Sequence, residues 1–182
     1  MTEELHPVKE FLFEYIKKSE KKLQELMSQT KTDKAIDDIL ENCYYMASLM
    51  DEKEDSLGVL ATGILHYMLT SAALTSQRKV MHQGIEVDIV VPSLKTLEED
   101  PKKSLIICIP KTLDKKVILE KLEQLQTIQP EKQNIWLVLT QDLGFENKTF
   151  VVQKDSNFSK IIFEIAQFVN VQGHNKFKIL KI

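Results

Sequence analysis

Residues Ile135, Trp136, Leu137, Val138 and Leu139 form an unbroken apolar run between Asn134 and Thr140. A strand with one wet face alternates apolar and polar residues, and a strand that does not alternate must be covered on both faces. Such a strand belongs in the middle of a sheet with helices packed on either side. The chain is therefore expected to be α/β. Shorter runs at about 78–83, 85–91, 105–109 and 150–153 supply neighbouring strands, and Phe177, Ile179 and Ile182 can make a last one. In the second of these, Ile85, Val87, Ile89 and Val91 alternate with Glu86, Asp88 and Val90. Strict alternation puts Glu86 and Asp88 on one face. Buried or half-buried acids are costly unless something pairs with them, so this strand calls for a partner.

Helical spacing dominates the first part of the chain. Pro7 opens a helix whose apolar stripe, Val8, Phe11, Leu12, Tyr15, Ile16, Leu23, Leu26 and Met27, runs to about Ser28. Its other face carries Lys17, Lys18, Lys21 and Lys22 together with Glu14, Glu20 and Glu25, the pattern of a solvated face. Thr32 or Asp33 caps a second helix with Ile36, Ile39, Leu40, Cys43, Met46, Ala47 and Met50 inward. Adjacent Tyr44 and Tyr45 cannot both face the core, so one belongs at an edge. Asp51–Asp55 reads as a charged hinge, with Ser56 capping a third helix from Leu57 to about Thr75. That helix is apolar on most sides and carries His66, expected as a hydrogen-bonded core residue. Thr112 or Asp114 opens a further helix, and another is expected over Phe158–Val169. Between strands, Glu98, Glu99 and Asp100 read as a solvated turn. The division expected is a helical extension over 1–55 and an α/β core over 56–182.

Charge is divided unevenly along the chain. Of 24 Lys and Arg, 8 lie in residues 1–76, against 14 of the 27 Asp and Glu, so a net −6 precedes a net +3. The mild positive bias of the second part permits nucleic-acid contact without the dense basic stripe of a dedicated binder. The N-terminal MTEELHPVKEF lacks an apolar core and is not expected to be a signal peptide. Leu57–Ser76 contains Thr62, His66, Thr70 and Ser71 and is expected to be a buried globular helix, not a membrane span. Cys43 and Cys108 have no metal-ligand spacing and suit a reducing, cytoplasmic compartment as small buried apolar residues. There is no Gly-rich phosphate loop, nucleophile motif or zinc spacing, and His6, His66, His82 and His174 are isolated in sequence.

The order helix, three strands, helix, strand, with Ile85–Pro92 (IEVDIVVP) and Leu105–Lys111 (LIICIPK) in place, resembles the PD-(D/E)xK nuclease-like superfamily over residues 57–140. That superfamily includes archaeal Holliday junction resolvases and restriction endonucleases. The resemblance implies a restriction-endonuclease-like mixed sheet flanked by helices, with the N-terminal helical extension added. It also implies a metal held by an aspartate on the second strand and an acid on the third, a lysine two residues beyond that acid, and in many members a glutamate on the first helix. Asp88 matches the first acid. Aligning Lys111 with the lysine puts Ile109 at the second acid, and aligning Pro110 there puts Cys108 at it. Neither is a carboxylate, and Leu57–Thr75 has no acid.

Two readings follow. In one, the chain is a binding or regulatory module in nucleic-acid metabolism or transcription, without catalysis or cofactor. It would then be similar in kind to the archaeal protein that binds the TATA-binding protein. Its helices would meet a protein partner or a second copy, and nucleic acid is a possible ligand. In the other, it is a Mg- or Mn-dependent DNA endonuclease with Asp88, Glu86 and Lys111 catalytic and Asp88 and Glu86 holding the metal. In the first reading Lys111 pairs with Asp88 or Glu86 and satisfies the acids without metal.

Overall fold

The computed structural model describes residues 5–177. Helices α1 (Pro7–Lys18), α2 (Glu20–Ser28), α3 (Thr32–Ser48) and α4 (Lys53–Ser71) come first. Strands β1 (Gln77–His82) and β2 (Ile85–Val91) follow, then the short α5 (Leu94–Glu99), β3 (Leu105–Cys108), α6 (Lys115–Ile128), β4 (Ile135–Leu139), β5 (Thr149–Val151) and α7 (Ile161–Phe177). The five strands make one mixed sheet in sequence order. The pairs β1–β2 and β2–β3 are antiparallel, and the pairs β3–β4 and β4–β5 are parallel. α6 is the crossover that lets β3 and β4 run parallel.

Trp136 and Val138 are 6% and 1% exposed, so the apolar run is covered on both faces. One face meets α1, α3, α4 and α7, with Ile89, Ile107, Trp136 and Val138 from the sheet. The other meets α5 and α6, with Val90, Ile106, Ile135 and Leu137 from the sheet. Buried residues of the N-terminal helices, such as Val8, Leu12, Leu23 and Ile36, belong to the same core as α4 and the sheet. Tyr45 is the exposed member of the tyrosine pair and Tyr44 packs against this core.

Several expectations change. The first helix breaks at Ser19, because six consecutive polar residues, Lys17–Lys22, leave nothing to hold that turn on the core. The third starts at Lys53 and ends at Ser71, so residues 53–55 are its first turn and not a hinge. Acids there are favoured by the positive end of the helix dipole. Glu98 and Glu99 are helical, on α5, where Ser93 Oγ accepts the Thr96 N–H as cap. Finally, β2 does not alternate strictly. Val87 packs on the α6 side with Val90, whereas Ile89 and Val91 face α4. The slip lies opposite Lys79 of β1, whose φ of 49° is a left-handed conformation rare for a residue with a Cβ. The ladder pairs Arg78 with Ile89 and Val80 with Val87 on either side of it. Of the expected last strand, Phe177 ends α7, and Ile179 and Ile182 lie outside the described residues.

Candidate functional site

α1 and α4 form one wall of a groove of about 1180 Å³. β1, β2, the end of β3 and the start of α6 form the other wall. The two helices approach closely at Gly63, where a Cβ would stand 2.5 Å from Leu12 Cδ2. All three residues singled out from the sequence line this groove: Glu86, Asp88 and Lys111.

Asp88 is half-buried where β2 passes the end of β3. Its Oδ2 accepts the backbone N–H of Ile109 at 2.8 Å. Burial pushes its carboxyl above the ordinary range, and the Ile109 amide and Lys121 pull it back. Beside it, Cys108 is 1% exposed, and burial pushes its thiol strongly upward, with the Asp88 charge adding to the shift.

Lys111 does not pair with Asp88 or Glu86, as the sequence reading expected. Its Nζ lies 3.5 Å from Asp55 Oδ1, in the first turn of α4. Gly58 makes room for the lysine stem, since a Cβ there would meet Lys111 Cγ at 3.0 Å. The other Asp55 oxygen lies 3.4 Å from His6 Nε2, and His6 Nδ1 accepts the Val8 N–H as the cap of α1. Asp55 thus ties the start of α1, the start of α4 and the end of β3 together. Glu86 is exposed, and its backbone carbonyl accepts from Lys121 Nζ at 2.5 Å.

Asp55 is the site residue that sequence reasoning missed. Its signal was present: an acid just ahead of an uncharged helical run is where a helix start is favoured. His66, expected in the core, is exposed on the groove wall, and burial and Arg78 together hold its imidazole below the ordinary value. His82, near the site strand in sequence, instead contacts Glu98 at 3.3 Å. Of the lysine group on the first helix, Lys17 lines the groove and Lys22 bonds Asp38 of α3.

The donor set suits a metal poorly. One Asp88 oxygen is engaged by an amide, and the neighbouring third-strand positions are a thiol and Ile109, whereas magnesium demands oxygen ligands. Among the described residues no group of three or more His, Cys, Asp or Glu converges as a metal would need. No helix among them is long and apolar enough to cross a membrane. No protein-family model, curated protein or solved structure matches the chain.

Proposed function

We propose that this chain is a binding module of nuclease-like architecture, acting in nucleic-acid metabolism or transcription without cleaving a phosphodiester. Its sheet supports the restriction-endonuclease-like reading: α4, an antiparallel β1–β2–β3 meander, the α6 crossover and parallel β4 follow the element order of that superfamily. The observation that carries the functional part is the engagement of Asp88 by the Ile109 amide, with Cys108 beside it and Lys111 turned to Asp55. Phosphodiester hydrolysis needs charge stabilisation that a carboxylate-held metal commonly supplies. Here the acid meant for the metal serves the backbone, and the lysine meant for the water serves a helix.

Calorimetric titration with magnesium and manganese, beside cleavage assays on branched, duplex and single-stranded DNA, tests this reading. No turnover and no tight metal binding are expected. Tight binding and cleavage that both vanish in Asp88→Ala would replace it with the endonuclease reading. One observation favours that alternative: Asp55 puts an acid on the helix where many members of the superfamily carry one, facing the same groove as Asp88 and Glu86.

A further inference from the structure

The groove is longer than a small-molecule pocket. Asp55 and Ser71 both line it and stand at opposite ends of α4, about 24 Å apart at 1.5 Å rise per residue. Its volume of about 1180 Å³ also exceeds the roughly 300–1,000 Å³ usual for drug-sized ligands. A linear occupant of about four helical turns fits that length.

The lining is amphipathic. Ile16 contributes half-buried apolar surface, and Leu5, Phe13 and Val117 line the groove at 54%, 73% and 49% exposure. An exposed phenylalanine beside such a floor is the kind of anchor that a partner covers. Charges flank both sides: Lys9 and Lys17 on α1, and Arg78, Lys79 and Lys121 across from them. None of these five is in a salt bridge among the described residues. Four acids share the lining. Of these, Asp55 is already matched by Lys111 and His6, and one Asp88 oxygen holds an amide. Leaving out the Asp55–Lys111 pair, five cations face three acids, Glu20 on the side of Lys9 and Lys17 and Glu86 and Asp88 on the side of Arg78, Lys79 and Lys121, so each side keeps a net charge of +1.

Resting on the binding-module reading, we infer that the groove receives an acidic amphipathic helix from a partner protein. Its apolar stripe would lie on Leu5, Phe13, Ile16 and Val117, and its Asp and Glu residues would meet the cations on either side. Helix-in-groove recognition reads anchors at i, i+3, i+4 and i+7, and complementary rims set orientation and association rate. A single nucleic-acid strand would use successive aromatic platforms for its bases. Among the described lining residues the rings are those of Phe13, Tyr67, His6 and His66, with His6 already held by Asp55, and the rest of the apolar surface is mainly aliphatic.

The test selects binders to the full chain from a random library of sixteen-residue peptides. Enriched peptides are then synthesised and titrated against wild type, Phe13→Asp and the double variant Lys17→Glu/Lys79→Glu. Circular dichroism checks that each variant is folded, and all three substitutions fall on exposed positions. Enriched peptides should combine helical apolar spacing with Asp and Glu, bind at least tenfold more weakly to either variant, and weaken with salt. No enrichment, enrichment without that pattern, or affinity unchanged in both variants would overturn the inference. So would tighter binding of oligothymidylate with the same losses, which assigns the groove to a nucleic-acid strand, or a dimer abolished by Phe13→Asp, which assigns it to a second copy. Metal-dependent cleavage lost in Asp88→Ala removes the module reading itself. A failed selection without cleavage removes only the acidic helix.

Discussion

Substituting Asp88 in two ways separates what its shape does from what its charge does. Asp88→Asn keeps an oxygen for the Ile109 N–H, which the carboxylate now accepts at 2.8 Å. Asp88→Ala removes that acceptor. Ile109 is 3% exposed, so its amide has little water to turn to. Leaving a buried donor unsatisfied costs about 1–3 kcal/mol. Asp88→Ala should therefore be less stable than Asp88→Asn by about that amount, which for a chain of this size is about 2–12 °C in Tm. The sequence suggested Lys111 as a partner for Asp88 or Glu86. Asp55 keeps that lysine paired in either variant, so the amide is the group left unsatisfied.

The charge acts in the other direction. Burial raises the Asp88 carboxyl above its ordinary value, with the Ile109 amide and Lys121 opposing. A carboxyl with a raised folded-state pKa stabilises the fold below its unfolded value, and that contribution is lost as pH rises through the folded value. Wild type should thus gain on Asp88→Asn as pH falls and lose to it towards neutrality. Urea unfolding of the three proteins at neutral and at mildly acid pH measures both effects, provided the slope with denaturant stays constant. An asparagine variant less stable than wild type at neutral pH by more than about 1 kcal/mol would refute the reasoning, since that loss approaches the worth of a hydrogen bond to a charged group. It would mean that the ionised carboxylate has a cationic partner in solution. Loss of that difference in a chelator, with recovery on adding magnesium, would identify the partner as a metal.

Three further outcomes follow from the packing. Gln129 is fully buried, and its Nε2 lies within hydrogen-bond reach of the carbonyls of Pro101 and Ser104 and of Ser104 Oγ; Pro101 O also accepts the Ser104 N–H and hydroxyl, so Gln129→Leu should cost about 1–3 kcal/mol in urea unfolding chiefly through the Ser104 carbonyl. At Gly63, a valine must displace Leu12 from between α1 and α4, and overpacking of this kind costs about 1–3 kcal/mol, read as a lowered melting temperature. Lys111 and Asp55 are both partly exposed, so a double-mutant cycle with Lys111→Met and Asp55→Asn should return a coupling of only about 0–1 kcal/mol, falling with salt.

The sheet could be read from the sequence because its signals are local. An unbroken apolar run has one physical solution, burial on both faces, and Trp136 and Val138 are buried as that requires. The crossover helix announced itself through Asp114, whose side chain accepts the Lys116 and Val117 N–H groups. The break at Ser19 was also on the page, in the six polar residues between Ile16 and Leu23 that a continuous apolar stripe would have skipped. Lys79 was not: nothing about a lysine between Arg78 and Val80 announces a φ of 49°. The phase slip opposite it, which separates Val87 from Ile89, therefore had no local signal.

The site residues show why a motif and a site differ. Asp88 and Lys111 were found from their strands, but their partners come from elsewhere in the fold. Asp55 was set aside because five consecutive charged residues, Asp51–Asp55, resemble solvated chain. What distinguishes it is that α4 begins two residues earlier, which fixes Asp55 in a first turn facing the end of β3. Gly58, one turn along the same helix, leaves space for the Lys111 stem to lie against the backbone. Helix start, glycine and lysine together draw Lys111 to α4 and leave the Ile109 amide as the direct hydrogen-bond donor to Asp88. The strand acid and the lysine thereby serve two different tertiary contacts, and this division, more than the missing third-strand carboxylate, favours a module over a nuclease.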